Sequence, residues 1–283
     1  MSSPAPTAAA PRAGIRHRPR PADLVAFAGL GLFLLAAVAP GALAPNDPTR
    51  TDLTATLAAP SAQHWFGTDE IGRDLYTRIV HGTGQSLAIG AGAAATALVL
   101  ALLLAGLAAL APRWVRGAAD RLIEILFSFP ALLLALLLVA VLGPSPFTLI
   151  AAVGVGCAPG YARMIRGQLL GTRVAGYVTA AVASGHSSTR IVLQHIVPNA
   201  LRPLVAVFSM SVGQCVVWSS SLSFLGLGVA PPSPEWGALL DAGRTYLTAA
   251  SWLVVAPGLC IVLLALTATA TGRILQQHLE RGE

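Results

Sequence analysis

Lysine is absent from this chain of 283 residues, and all 18 of its basic residues are arginine. A P-loop needs a lysine on the terminal phosphates of its nucleotide, and Schiff-base chemistry needs a primary amine. The side chains of this chain supply neither, which excludes both site types. Charged residues are also scarce, at 11%, where a soluble globular protein has roughly 25%. Because apolar residues make up 55%, the composition predicts an integral membrane protein.

Motifs of catalysis and metal binding are missing as well. The sequence contains no H-E-x-x-H, C-x-x-C, G-x-S-x-G or glycine-rich phosphate loop. Its three cysteines stand singly in separate apolar runs, which favours packing roles over a disulfide or a zinc site: Cys157, Cys215 and Cys260. We therefore expect no catalytic, cofactor or metal site, and no enzymatic activity in this chain.

Three further groups of polar residues have ordinary interpretations. His186 and His195 lie nine residues apart, a spacing that does not suggest a shared metal ion, so solvated or loop-packed roles are expected. The serine-rich run at 218–224 has no histidine or acid in the same apolar window, so we predict that its small side chains allow close helix packing. Arg121 and Glu124, three residues apart, are predicted to form an ion pair at a membrane interface.

Six windows are apolar and long enough to span a membrane, at about 20 residues each: 22–44, 86–111, 121–142, 147–167, 201–226 and 250–271. The fourth window is the weakest, because Pro159, Gly160 and Arg163 interrupt its end and predict a kink or an exit there. Proton- or sodium-coupled carriers need paired ionisable groups near the midplane, and none occurs in the central part of these windows. The pattern disfavours a secondary carrier.

The arginines predict the orientation of the spans. With the amino terminus inside, fourteen of the 18 arginines fall in inner segments, as the positive-inside rule requires. Both termini are therefore predicted to be cytoplasmic. An alternative is that the first apolar run is a signal peptide cleaved after the small residues at 42–44, which would leave the other five spans oriented as before. The arginines are spread over short loops without interleaved aromatics, so no nucleic-acid binding is expected.

The segment 45–81 is predicted to lie outside the membrane and in contact with water, because it is dense in charge: Asp69, Glu70, Arg73, Asp74 and Arg78. Ile71, Leu75 and Ile79 recur every four residues, which predicts a short interfacial helix over 71–81. In the loop after the fifth span, prolines forbid a helix and Trp236 is interpreted as an interfacial aromatic.

The stretch "YVTAAVASGHSSTRIVLQHIVPNALRP" at 177–203 is polar and interrupts two apolar runs. We predict a helix capped by Thr179, ended by Gly185 in the left-handed conformation. Ser187 or Ser188 would cap a second helix, which Pro198 would stop. Ile191, Val192, Leu193 and Ile196 would give that helix an apolar face, with the alanines of the first helix outward. This compact helix–turn–helix is shaped to enter a groove on a partner.

These residues resemble the "EAA" signature of ABC-importer permeases. Ala180, Ala181, Gly185 and Pro198 match it, whereas Thr179 stands where the family has glutamate. "HWFGTDEIGRDLYTRIVHG", "QHIVPNALRP" and "LSFLGLGVAPPSPEWG" are similar to the C-type permease subunit of dipeptide, oligopeptide and nickel transporters, over residues 22–275.

The resemblance implies an all-α polytopic membrane protein with six transmembrane helices and the type I ABC-importer permease fold, in a bacterial cytoplasmic membrane. It implies transport of short peptides, with nickel import as the alternative and an ATPase-independent carrier as a more distant one. The implied partners are membrane lipid, a homologous second permease, two cytoplasmic ATP-binding subunits and an extracytoplasmic solute-binding protein. The ATPases would dock on the coupling residues Thr179, Ala180, Ala181, Gly185, Ile196 and Pro198.

The expected organisation has five parts. They are a disordered Arg-rich tail at 1–21, the first span at 22–44, the extracytoplasmic segment at 45–81, a transporter core at 82–275 that includes the coupling loop at 168–200, and a cytoplasmic tail at 276–283.

Overall fold

The computed structural model describes residues 21–201 and 204–281, and side chains as far as Leu279. The predicted disordered tail at 1–21 lies outside the described residues except for Pro21, which begins the first helix. At the other end, the predicted tail at 276–283 is not separate from the last helix, which continues to Arg281.

Twelve α-helices make up most of the described residues: α1 Pro21–Val38, α2 Pro40–Leu43, α3 Leu75–Leu110, α4 Arg113–Ser128, α5 Ala131–Leu142, α6 Pro146–Arg173, α7 Gly176–Ala183, α8 Ser188–Ile191, α9 Val197–Leu201, α10 Leu204–Leu222, α11 Trp236–Arg244 and α12 Trp252–Arg281. Two π-helical segments, Val192–Ile196 and Ser223–Leu227, follow α8 and α10. A 3₁₀ turn covers Leu53–Ala55. Pairing between extended segments in the described residues is limited to one bridge, Thr68 to Asp74. The chain is all-α, as predicted.

Five helices are long and apolar enough to cross a membrane, and a bent pair makes a sixth span when α4 and α5 are counted together. The sequence predicts an uninterrupted span at 121–142, but the two helices meet at an angle of 90°. Pro130 causes this break, because it lacks an N–H and disfavours the helical region for Phe129 before it. Phe129 is accordingly extended, with φ −84° and ψ 136°.

Helix α3 runs unbroken over 36 residues, so the predicted separate interfacial helix at 71–81 is wrong. Asp74 caps it by accepting a hydrogen bond from the Thr77 backbone N–H at 2.8 Å. Within α3, Gly82 allows the loop before α11 to approach closely, since a Cβ there would overlap the carbonyl oxygen of Pro234.

Helix α6 also continues where the sequence predicts a kink or an exit. It extends through Pro159 to Arg173, so the predicted exit does not occur. Proline within a spanning helix is tolerated where neighbouring elements enclose it. Pro159 and Ala158 are buried, and at Gly156 a Cβ would lie 2.7 Å from the Ala131 carbonyl oxygen of α5.

The helices pack through small side chains. Helix α3 is central, packing along α6 and also against α10 and α1, while α12 packs against α10 and α1. The α3 face in these contacts consists largely of alanines with no exposed surface, among them Ala93, Ala97, Ala101 and Ala105. Within a bilayer, such small residues allow helix backbones to come close enough for dispersion to hold them together.

Candidate functional site

The loop between α6 and α10 forms the helix–turn–helix that the sequence predicts, and we call residues 174–201 the α6–α10 loop. Its first helix, α7, ends in a Schellman motif. The Gly185 N–H donates to the Val182 carbonyl at 3.0 Å, and the His186 N–H donates to the Ala181 carbonyl at 3.2 Å. Gly185 has φ +76°, so the predicted left-handed conformation is confirmed.

Thr179 does not cap this helix, contrary to the prediction. Helix α7 begins earlier, at Gly176, two residues after the end of α6. Ala175 therefore occupies the cap position. The Ala175 carbonyl accepts hydrogen bonds from the N–H groups of Val178 and Thr179, at 2.9 and 3.2 Å. Thr179 is therefore an exposed interior residue of α7, and its hydroxyl donates to the Ala175 carbonyl at 3.4 Å.

The second helix begins as predicted and ends later. Ser187 caps α8, with its hydroxyl accepting from the Arg190 N–H at 3.4 Å. Pro198 does not stop the helix, since the chain continues through a π-helical segment into α9. The wider π turn removes the steric conflict that proline creates in a regular helix. The Asn199 side-chain amide donates to the His195 carbonyl at 2.7 Å.

One face of the α6–α10 loop is buried against the spans. Val178, Ala181, Ile191 and Ile196 are each less than 8% exposed, and they share an apolar cluster with residues of α3, α4 and α6. Ala181 therefore points inward, contrary to the expectation that the alanines face outward. Of the predicted apolar face, Leu193 is 63% exposed, so that face is only partly buried.

The opposite face of the loop is exposed. It presents the apolar side chains of Tyr177, Ala180, Val182 and Leu193 together with polar ones that include Thr179, Ser188, Arg190 and Gln194. Val182 is 60% exposed. Exposed apolar side chains concentrated on one side of a compact protrusion are typical of a protein interface.

Polar contacts connect the ends of the spans beside the loop. The Arg166 Nε of α6 lies 2.7 Å from Asp120 Oδ1 of α4. The Arg173 Nη1 donates to the Ala109 carbonyl at 2.9 Å, which places a cation at the carboxyl end of α3, where the helix dipole favours it. These contacts hold the end of α6, from which the loop starts, against α4 and α3.

His186 and His195 meet in the fold although their spacing did not suggest it. Their rings are stacked, with centroids 5.9 Å apart and planes 13° apart. The turn at Gly185 brings the two residues together, which spacing along one helix cannot reveal. This observation supports the loop-packed role. Within the described part of the chain, no three His, Cys, Asp or Glu side chains come together as metal ligands would.

At the amino end of α3, Asp69, Arg73 and Arg78 are buried rather than exposed to water as predicted, while Glu70 and Asp74 are half-buried. Asp69 is 2% exposed, and its Oδ2 accepts from Arg73 Nε and Arg78 Nη1, both at 2.6 Å. Arg78 also donates to the Pro232 carbonyl at 3.4 Å. The buried Asp69 carboxylate therefore joins segment 45–81 to α3 and, through Arg78, to the loop before α11. The number of charges in the segment does not predict this role.

Trp236 likewise is not interfacial. It is fully buried at the start of α11, and its indole Nε1 donates to the Ile79 carbonyl at 2.9 Å. Glu235 caps this helix by accepting from the Gly237 and Ala238 N–H groups at 2.8 and 2.9 Å. Burial raises the pKa of Glu235, and these two hydrogen bonds oppose the increase.

The serine-rich run packs closely, as predicted. Ser219, Ser220 and Ser223 are buried, and a Cβ at Gly237 of α11 would lie 2.8 Å from the Ser220 Cα. The Arg121–Glu124 ion pair also forms, at 2.7 Å. Because both side chains are more than 60% exposed, it adds little to stability.

The fold resembles that of solved transporters. The chain aligns with a structure titled as an amino acid ABC transporter with histidines, with a TM-score of 0.60 and 16% identity over 72% of this chain and 95% of that one. It aligns with an inward-facing MetNI methionine ABC transporter with a TM-score of 0.59 and 20% identity, over 72% and 97%. These likenesses establish the ABC-transporter permease fold.

Sequence comparisons give closer relatives. The dipeptide transport system permease protein DppC of Alkalihalophilus pseudofirmus is 36% identical over 88% of this chain and 82% of its own length. The probable D,D-dipeptide transport system permease protein DdpC of Escherichia coli is 40% identical over 79% and 75%. The glutathione transport system permease protein GsiD of Pectobacterium atrosepticum is 35% identical over 89% and 85%.

A family model described as "binding-protein-dependent transport system inner membrane component" matches residues 91–282. That match covers more than half of the chain, and it agrees with the multiple apolar spans of the fold. The chain is thus a multi-pass protein of the cytoplasmic membrane, and it belongs to the family of inner-membrane components of binding-protein-dependent transport systems.

Proposed function

We propose that this chain is the transmembrane permease subunit of an ATP-driven importer of short peptides. The observation that supports this most directly is the relatedness over most of the chain to permeases named for dipeptides and for glutathione, itself a tripeptide. Three separate relatives named for small peptide substrates favour peptides over nickel. Membership in a binding-protein-dependent family disfavours an ATPase-independent carrier.

The energy source lies on other chains. Without lysine this chain cannot form a P-loop, so ATP binding belongs to partner subunits. We propose an assembly with a homologous second permease, two cytoplasmic ATPases and an extracytoplasmic solute-binding protein. Both termini and the α6–α10 loop are then cytoplasmic, as the arginine distribution predicts.

The α6–α10 loop is the proposed docking element for an ATPase. Its exposed face offers Thr179, Ala180 and Val182, and it contains no carboxylate where the resemblance implies a glutamate. Docking therefore depends on the shape and the apolar character of the protrusion more than on charge. Gly185 and Pro198 contribute to this shape through the turn and through the π-helical continuation.

Movement of the docked loop would reach the spans through its buried face. Val178, Ala181, Ile191 and Ile196 belong to one apolar cluster with residues of α3, α4 and α6, and Arg173 bonds α6 to the end of α3. ATP can shift the importer between inward- and outward-open states only by binding them with different affinity. The loop supplies the contacts through which that difference acts on the membrane helices.

Uptake by cells provides the test. A strain lacking the gene for this chain is compared with the same strain complemented by it, using radiolabelled dialanine and radioactive nickel in parallel. We expect dialanine uptake to depend on the chain and to stop when ATP is depleted, while nickel uptake is unaffected. Dependence of nickel uptake alone would overturn the peptide assignment. Uptake that survives ATP depletion, with no ATPase purifying alongside the chain, would overturn the importer.

A further inference from the structure

A cavity of about 500 Å³ opens at the break between α4 and α5. Phe129 and Pro130 of the break form one wall, and residues of α6 and α10 form the others, including Tyr161, Gln214 and Trp218. Tyr161 and Gln214 both lie near the middle of long helices, at 146–173 and 204–222. The cavity therefore lies beside the central turns of two spans.

Tyr161 and Gln214 form a polar pair on this cavity. The Tyr161 hydroxyl donates to Gln214 Oε1 at 2.8 Å, and Gln214 is an exposed residue of α10. An amide facing hydrocarbon is costly, so exposed polar groups on spans face protein or a water-filled path. The amide N–H groups and the phenol oxygen are the donors and acceptors that a peptide bond would use.

The backbone around the break supports a water-filled path. Phe129 and Pro130 are exposed and non-helical. Irregular backbone at membrane depth is tolerated only where protein buries it or where it lines a wet cavity. Pro159 on the facing helix also removes the donor for the Val155 carbonyl. Broken and interrupted helices beside one cavity are a common arrangement where membrane proteins bind substrates.

We infer that this cavity is a station on the translocation pathway, where the backbone of a passing peptide hydrogen-bonds to Tyr161 and Gln214. The aromatic wall, including Trp218, would contact its side chains without selecting among them. A neighbouring cavity shares Phe127 and is lined by charges of both signs, Arg163 and Arg166 with Asp120 and Glu124. The inference rests on the proposed function, and it names the residues that contact the substrate.

The first experiment uses the complete importer in proteoliposomes, with radiolabelled dialanine and measurement of ATP hydrolysis. Tyr161→Phe and Gln214→Leu should each lower the number of peptides transported per ATP at least fivefold, while hydrolysis itself changes less than twofold. The matched control is Ser221→Ala on the same helix, since the Ser221 hydroxyl bonds only to the Val217 carbonyl of its own helix in the described hydrogen bonds. Its transport ratio should equal that of the wild type.

The second experiment measures water access directly. In a variant with the three native cysteines replaced by alanine, Gln214→Cys should react with a hydrophilic methanethiosulfonate in the assembled importer, and dialanine with ATP should slow the reaction. Val262→Cys is the control, because Val262 is an exposed apolar residue of α12 away from the cavity. It should react at least tenfold more slowly.

The outcomes distinguish failure of the proposed importer function from failure of the inference about the cavity. Absence of dialanine transport by the wild-type importer refutes the proposed function and the inference with it. Normal wild-type transport, with normal ratios in both variants and no labelling at position 214, refutes the inference alone. If Gln214→Leu instead prevents the subunits from assembling and Tyr161→Phe transports normally, the pair belongs to a subunit interface and the inference is wrong.

Discussion

Replacement of Gly185 tests whether the turn in the α6–α10 loop couples ATP hydrolysis to transport. Nothing lies within 4 Å of the position that a Cβ at Gly185 would occupy, yet its φ of +76° is one that side chains disfavour. A substitution therefore acts through backbone strain alone. No other contact of the loop is removed, which makes the expected effect unusually easy to interpret.

The size of the effect follows from this strain. Holding a residue with a Cβ in the left-handed region costs about 1–2 kcal/mol, which lowers the ratio of formed to unformed turn roughly 5- to 30-fold. Valine is β-branched and tolerates this region less well than alanine. Asparagine tolerates it well. Peptide uptake should therefore decrease in the order glycine, asparagine, alanine, valine.

Uptake of radiolabelled dialanine at matched membrane levels of the protein checks this order. We expect Gly185→Val to be inserted normally while its uptake falls at least fivefold and less ATPase purifies with it. Gly176→Ala is the control, because Gly176 also has open space around it and no left-handed φ. Wild-type uptake by Gly185→Val, or equal defects in the asparagine and valine variants, would refute the reasoning.

Three further predictions follow. Thr179→Glu should leave ATPase docking and uptake within about twofold of wild type in a co-purification assay, because Thr179 is exposed and bonds only weakly to the Ala175 carbonyl; complete loss of docking would contradict this. Asp69→Asn should lower stability by about 3–5 kcal/mol in thermal unfolding, because it leaves buried arginines without their carboxylate, whereas Glu70→Gln should cost much less. Burial raises the pKa of Glu235 above its ordinary 4.5, so the folded state holds this proton more tightly and stability should fall as pH rises through the raised pKa. Glu235→Gln should flatten that dependence of melting temperature on pH, and an unchanged slope would show that another group titrates.

The sequence was sufficient for features that depend on local chemistry. Apolar runs predicted the spans because hydropathy is a property of the residues themselves. Gly185 and Ser187 predicted a turn and a cap because left-handed backbone and N-cap hydrogen bonds involve neighbours only. The coupling role of this loop stays a prediction, since it depends on a partner chain.

Features that depend on distant contacts could not be predicted. The polar start of α3 looked like a helix boundary, yet His81 bonds to the Ala44 carbonyl at 3.0 Å and Ser86 accepts from the Trp236 N–H at 3.0 Å. The density of charge in the segment predicted that Asp69 contacts water. It could not show that the fold places the Arg78 guanidinium against this carboxylate. Similarly, Tyr161 and Gln214 are 53 residues apart, and only packing of α6 on α10 brings them together.

The unbroken α3 has a mechanical consequence. Its 36 residues measure about 54 Å at about 1.5 Å each, well beyond a hydrocarbon core of about 30 Å. One end bears Arg78 in the buried carboxylate cluster, and the other end receives the hydrogen bond of Arg173. In a continuous helix of this length, a small tilt at one membrane surface also displaces the opposite end. Opening of the transport pathway on one side of the membrane and its closing on the other side can then be a single movement.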